Sequence, residues 1–447
     1  MNPPKWVIIN VMKKTLLLIA LLFVATASFS QNVIRLFSKA NQFFIYLAEQ
    51  KFDDAYQNFD ESEKDKFKPE NLKGLWENIV KNLGEPVTLE AVQTKTEGDF
   101  FVVTVEGVFE DGKQNFTIVF NKAENVVGFY MPPNKLEYSK PFYVDTALFV
   151  EETQYLKSGT HQLAAIITKP KGATNFPMVV LVHGTGPSDM DGTVGPNKPL
   201  KDIADGLAVK GIGSVRYVKR TVIYPNEFEK AFTVKEEVLD DAVAAVALAK
   251  TVKGADVKSI FVLGHSLGGM LAPRIATLAP DIKGIIMAAA PARQLTDIIK
   301  DQNKYIVGGM KDTTGTLVKV LENALIEAEK SRITKLGTTM KPDSIIMGLP
   351  AAYWVDLNNY NQVETAKKLT KRMYIIQGGN DFQVPDTDYE LWKSGLAGKT
   401  GVTFKHYGEI NHLLSPQMEK GDASQYQKMA NVSEQLVKEL AIWINTK

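Results

Sequence analysis

The 447-residue chain contains no cysteine. Disulfides, thiolate metal sites, a cysteine nucleophile and a lipid-modified N-terminal cysteine are therefore excluded. Neither sign of charge is in excess: 52 Lys and Arg face 51 Asp and Glu, for a formal net charge of +1. That balance argues against a nucleic-acid partner held by charge. Histidine is scarce, with five in all, and neither H-E-x-x-H nor a histidine cluster occurs, so no metal or other cofactor is expected. No apolar run approaches membrane-spanning length, and no stable membrane insertion is expected. Repeats and low-complexity stretches are also missing. What remains is an ordinary globular composition, 45% apolar and 23% charged, with length for two or three domains. Nothing in it bears on oligomeric state.

One short apolar run does stand out. Lys13-Lys14 precede Leu16 to Ala27, and Ser28-Phe29-Ser30 put small residues three and one before a cut ahead of Gln31. This order predicts a secretory signal peptide over residues 1–30 and a periplasmic or extracellular protein.

Two textures follow. Residues 33–131 open with helical periodicity (Leu36, Ala40, Phe43, Phe44 and Leu47 on one face) and then alternate as strands, with a hairpin turn at Glu110-Asp111-Gly112-Lys113. A small α+β domain is expected there, without histidine or a clustered polar motif, and most simply a spacer or dimerisation surface. Residues 132–144, with Pro132-Pro133 and Lys140-Pro141, read as a linker. From 145 to 447, short apolar strands such as Met178–Val182, Ile260–Leu263 and Met373–Gln377 alternate with amphipathic helices, including one over Gln425–Ile444. That alternation predicts an α/β domain with a mainly parallel sheet covered on both faces. Residues 292–370 hold helices without a clear strand and are expected to form an inserted cap over the carboxyl ends of the strands, where ligands bind in such sheets.

The chemistry centres on Gly264-His265-Ser266-Leu267-Gly268. Chance supplies G-x-S-x-G in roughly one chain in eight of this length. Here an apolar strand precedes it and a helix follows, which is the context of a sharp turn that lifts a nucleophilic serine above a sheet. Ser266 needs a base. His265 should point away from the serine, His161 lies in a leading hairpin, His183 belongs to another motif and His406 lies within a strand. His412, in the loop after the last core strand, is left. Asp381, at the end of the Met373–Gln377 strand, is the candidate orienting acid, while Asp386 and Asp388 flank the next helix. Oxyanion donors are expected from the N–H of Leu267 and from the loop His183-Gly184-Thr185-Gly186-Pro187, with Thr185 preferred and Gly184 second. Asp189 and Asp191 read as turn formers. His183, Tyr353 and Trp354 are candidate pocket residues, the last two either packing the cap or walling the substrate.

Residues 145–447 resemble the α/β-hydrolase superfamily, most nearly bacterial serine esterases akin to dienelactone hydrolases and acyl-peptidase-like hydrolases. The resemblance rests on HGTGPSDMDG (183–192), GPNKPLKDIADGLAVKGIGSVRY (195–217), GHSLGG (264–269), LPAAYWVDL (349–357), QGGNDFQVP (377–385) and INHL (410–413). It implies the order Ser266, Asp381, His412, an acyl-enzyme and a small-molecule ester substrate, with an acyl-peptidase, aminopeptidase or acyltransferase as the alternative use of the same triad. It also implies that the Asp189–Asp191 turn and Arg216-Tyr217 lie by the mouth of the site. The relatives often carry an acidic residue where this chain has Val218. The first unit resembles a nuclear-transport-factor-like domain fused to such hydrolases.

Overall fold

The computed structural model describes residues 35–132, 137–310 and 316–446. The expected signal peptide lies outside the described residues. The chain divides into two compact units at residues 135/136.

The first unit runs α1 (35–48), α2 (Phe52–Tyr56) and α3 (Pro69–Leu83), then an antiparallel meander of β1 (Pro86–Glu97), β2 (Phe100–Phe109), β3 (Gly112–Phe120) and β4 (Val126–Tyr130). Leu36, Ala40, Phe43, Phe44 and Leu47 share one face of α1 and are all buried. That face meets Phe116, Ile118 and Phe129 from the sheet. Phe43 and Phe44 each approach Phe129 edge-on, at 5.4 and 5.7 Å between ring centres. Phe109 pairs with Gly112, so the expected hairpin turn is the two-residue loop Glu110-Asp111.

The second unit is built on eight strands. They are β5 (Phe149–Ser158), β6 (His161–Pro170), β7 (Phe176–Val182), β8 (Gly213–Tyr217), β9 (Ala255–His265), β10 (Gly284–Ala288) and, after a two-residue hairpin of β11 (Ile345–Ile346) and β12 (Leu349–Pro350), β13 (Arg372–Gly378) and β14 (Val402–Tyr407). The sheet order is β14-β13-β10-β9-β7-β8-β6-β5. The pairs from β8 to β14 are parallel, while β6 runs antiparallel to both β8 and β5. The helices are α4 (Pro199–Ala208), α5 (Arg220–Ile223), α6 (Asp240–Thr251), α7 (Leu267–Leu278), α8 (Leu295–Gly308), α9 (Thr316–Lys330), α10 (Ala351–Asn358), α11 (Gln362–Lys368), α12 (Asp386–Gly395) and α13 (Glu434–Asn445). This is the α/β-hydrolase fold, with α8 to α11 inserted between β10 and β13.

The continuous apolar strands have a simple cause. Met178, Val180 and Val182 of β7 enter one core with α6 and α7, while Val179 and Leu181 enter the other with α4 and α13. Side chains alternate with period two, so a strand covered on both faces must be apolar at every position.

Two expectations change. The helix expected over Gln425–Ile444 begins only at Glu434, after a 3₁₀ turn at Ala423–Gln427. Between them Asn197 accepts the N–H of Ala430 and Asp202 that of Val432, so long-range side chains capture donors that a helix would use locally. Ser433 then caps the helix. The cap also holds the β11–β12 hairpin, where no strand was expected, because two residues per strand carry no readable period.

Candidate active site

Ser266 sits between the end of β9 and the start of α7 with φ 55° and ψ −120°. Only glycine adopts this combination of φ and ψ without strain, so the surroundings must enforce it. The Ser266 N–H donates to Ala288 O of β10 at 2.9 Å, and its carbonyl accepts from Met270 N at 2.9 Å. A Cβ at Gly264 would come within 2.1 Å of Gly268 O, and one at Gly268 within 2.5 Å of His183 O. The two glycines let the turn fold on itself and seat against the end of β7. Leu267 begins α7, and its N–H has no acceptor among the described residues. It stands at the positive end of the helix dipole.

His412 and Asp381 are brought together from loops 31 residues apart, with His412 Nδ1 2.7 Å from Asp381 Oδ2. The other carboxylate oxygen accepts the N–H groups of Gln383 (2.8 Å) and Val384 (2.9 Å). A carboxylate accepts only, so in the neutral ring this contact places the proton on Nδ1 and the lone pair on Nε2. Both side chains are buried, and His412 lines the same cavity as Ser266.

His265 does not behave as expected. It lines the cavity, and its Nε2–H donates to His412 O at 2.7 Å, clasping the loop that carries His412. The two rings lie 4.7 Å apart. Burial, helped by the neighbouring His412, pushes its pKa down to about 4. His183 also lines the cavity, and its Nε2–H donates to Asp189 O at 2.9 Å. Burial beside Lys219 pushes its pKa down to about 3. Both rings are thus neutral donors at pH 7.

The loop after β7 crosses directly above the serine: a Cβ on Gly184 would lie 3.2 Å from Ser266 Cβ. Gly184, Thr185 and Leu267 all line the cavity. The N–H of Thr185, like that of Leu267, has no acceptor among the described residues. Asp189 forms the turn through bonds to Asp191 N, Thr193 N and Thr193 Oγ1. Asp191 does more than turn the chain. With Glu151 it pairs the fully buried Arg216, and it also takes Lys198 at 2.9 Å. Neither Asp189, Asp191 nor Arg216-Tyr217 lines the cavity; Ser188 and Gly192 beside them do.

The cavity is about 710 Å³. Leu295, Ile298, Ile299, Gln302 and Ile306 from one face of α8 roof it, with Met347, Leu349 and Trp354 beside them. Of the two expected cap aromatics only Trp354 belongs there, its Nε1 tied to Ile346 O. Tyr353, expected in the pocket, does not line it. Successive helical residues point about 100° apart, and α10 is turned so that Tyr353 leaves the cavity, meets Phe232 edge-on and donates its hydroxyl to Glu237 at 2.7 Å. Glu237 and its partner Lys219, both buried, had no place in the sequence reading. A signal existed: Glu237 interrupts the apolar stripe of Val234, Val238, Ala242 and Ala245.

A strained serine at the strand–helix turn, over a mainly parallel sheet and under a helical insertion, marks an α/β-hydrolase. Comparison with known proteins agrees: the family described as alpha/beta hydrolase fold matches residues 235–416, and a family of proteins of unknown function matches residues 40–129. Esterase EstD of Thermotoga maritima is 34% identical over 403 residues, spanning 90% of this chain and 93% of that protein. The chain belongs to the α/β-hydrolase family, alongside that esterase. Among solved structures, Est1E from Butyrivibrio proteoclasticus covers 66% of this chain and 99% of its own, at 17% identity and TM-score 0.42. The acylaminoacyl peptidase of Pyrococcus horikoshii covers 73% and 52%, at 13% identity and TM-score 0.42.

Proposed function

We propose that the protein is an exported serine carboxylesterase that acts on esters with an apolar acyl or alcohol part. The observation that carries the reading is the His412–Asp381 pair, 2.7 Å from Nδ1 to Oδ2, on the same cavity as Ser266. The likeness to Esterase EstD along nearly the whole chain supports ester hydrolysis, and the apolar roof of the cavity supports apolar substrates. The order of charge, apolar run and small residues over 13–30 supports export.

The mechanism has two steps. His412 Nε2 takes the proton of Ser266 Oγ as the oxygen attacks the ester carbonyl. The N–H groups of Leu267 and Thr185 hold the oxyanion, with Gly184 the second candidate in that loop. Asp381 stabilises the imidazolium, which then protonates the departing alcohol. Water enters and gives a proton to His412 as its oxygen attacks the acyl carbon; His412 then returns that proton to Ser266 Oγ as the acid leaves.

Hydrolysis of p-nitrophenyl esters of increasing acyl length tests this. The expected result is turnover that Ser266→Ala reduces at least 10³-fold, leaving only binding and oxyanion contributions (about 10³–10⁴ over water). Turnover undiminished in the variant refutes the reading, and activity confined to aminoacyl amides makes the protein a peptidase.

A further inference from the structure

Lys219 and Glu237 form an ion pair inside the hydrolase unit, each side chain only 3% exposed. Burying two charges is costly, and an apolar pair of similar volume would serve stability as well or better. The contacts of this pair converge on one loop. Lys219 Nζ donates to Gly184 O at 2.9 Å and to Glu237 Oε1 at 2.6 Å. The same carboxylate oxygen accepts Gly186 N–H at 3.1 Å, and the other accepts the Tyr353 hydroxyl at 2.7 Å. The pair thus grips the carbonyl on one side of Thr185 and the N–H on the other. Gly186 itself has φ +82°, a conformation open to glycine.

The geometry of a peptide unit turns that grip into an orientation. The Gly184–Thr185 bond is trans, so the Gly184 carbonyl and the Thr185 N–H point in opposite directions. Holding the carbonyl on Lys219 turns the Thr185 N–H away from the pair. That N–H has no acceptor among the described residues, and Thr185 lines the cavity beside Ser266. We propose that Lys219 and Glu237 are positioning residues that aim the Thr185 N–H at the oxyanion, with Tyr353 of the cap bracing the pair. The inference rests on the serine-esterase reading above. Neither residue touches substrate; both act through the loop.

The test separates positioning from folding. Lys219→Met alone leaves a buried carboxylate unpaired and is expected to destabilise the protein. The double variant Lys219→Met/Glu237→Gln removes both charges, keeps an oxygen for Gly186 N–H, and is expected to fold with the near-UV spectrum of the wild type. Its kcat should fall about 10²-fold, as for the loss of one oxyanion donor. Its affinity for a trifluoromethyl ketone, which adds to Ser266 as a tetrahedral oxyanion, should fall by the same factor. Its affinity for the ether analogue of the ester, which lacks the carbonyl, should not change. Tyr353→Phe keeps the pair and removes one brace. It should lose about 5-fold in kcat and ketone affinity, the worth of one hydrogen bond, and it supplies the test if the double variant does not fold. Unchanged kcat and ketone affinity, or ether affinity falling in step with them, overturns the proposal. Wild type and Ser266→Ala run alongside: hydrolysis that does not need Ser266 overturns the esterase mechanism itself, whereas Ser266-dependent turnover indifferent to the pair overturns only the positioning role.

Discussion

Acid should weaken the hydrolase unit through His183. This ring is 3% exposed, its Nε2–H is committed to Asp189 O, and its pKa is pushed down to about 3 by burial beside the Lys219 ammonium. In the unfolded chain an ordinary histidine titrates near 6.5. As pH falls below that value the unfolded state takes up a proton that the folded state refuses, so the equilibrium shifts toward unfolding. The stabilising contribution is complete above pH 6.5 and is lost progressively down to about pH 3. Between pH 7 and pH 5 the loss is about 2 kcal/mol, from 1.36 kcal/mol per pH unit over the interval below 6.5. His265, its pKa held at about 4 by burial, adds a loss in the same direction. The assay is urea unfolding at pH 7 and pH 5, followed by tryptophan fluorescence, for wild type and His183→Gln. Glutamine keeps a donor for Asp189 O and does not titrate, while the remaining acids and histidines contribute alike to both proteins. The wild type should lose about 2 kcal/mol more than the variant over that interval. Equal losses in the two proteins would refute the account of His183 as a buried neutral ring.

Asp381→Asn should keep the fold but lower kcat by about 10⁴-fold, because an amide can donate to His412 Nδ1 and stabilise the wrong tautomer; steady-state kinetics on a p-nitrophenyl ester checks it. Gly268→Ala forces a Cβ to within 2.5 Å of His183 O and 2.6 Å of Val182 O, both backbone atoms. It should destabilise the hydrolase unit by about 1–3 kcal/mol and cut turnover with it, read as a lower thermal midpoint and a lower kcat.

Much of this protein was legible before its structure, and the legible parts share a property: their physics is local. The apolar strands identify themselves because both faces of β7 and β9 are covered, so every position must be apolar. GHSLGG identifies itself because a turn that holds Ser266 at φ 55° needs glycines where a Cβ would strike backbone. The contact between Asp381 and His412 was legible because each follows a core strand at its carboxyl end, and only five histidines compete.

What the sequence left open is set by how elements dock. Tyr353 and Trp354 are neighbours with similar chemistry, and only the rotation of α10 on the fold sends one toward Glu237 and the other into the cavity. His265 looked idle because its partner, the carbonyl of His412, lies 147 residues away. The α13 helix starts late because Asn197 and Asp202, more than 200 residues earlier, take backbone donors that the local pattern assigned to a helix. Lys219 and Glu237 read as ordinary charges until tertiary packing closes them into one buried pair on the loop above Ser266. The sequence by itself determined the strands, the strained serine turn and the order of serine, acid and histidine, since each depends on backbone sterics or the burial of its own neighbourhood. Which side chains face the cavity, and which buried charges hold its loops, was decided only by the tertiary structure, because those contacts form between segments that have no periodicity in common.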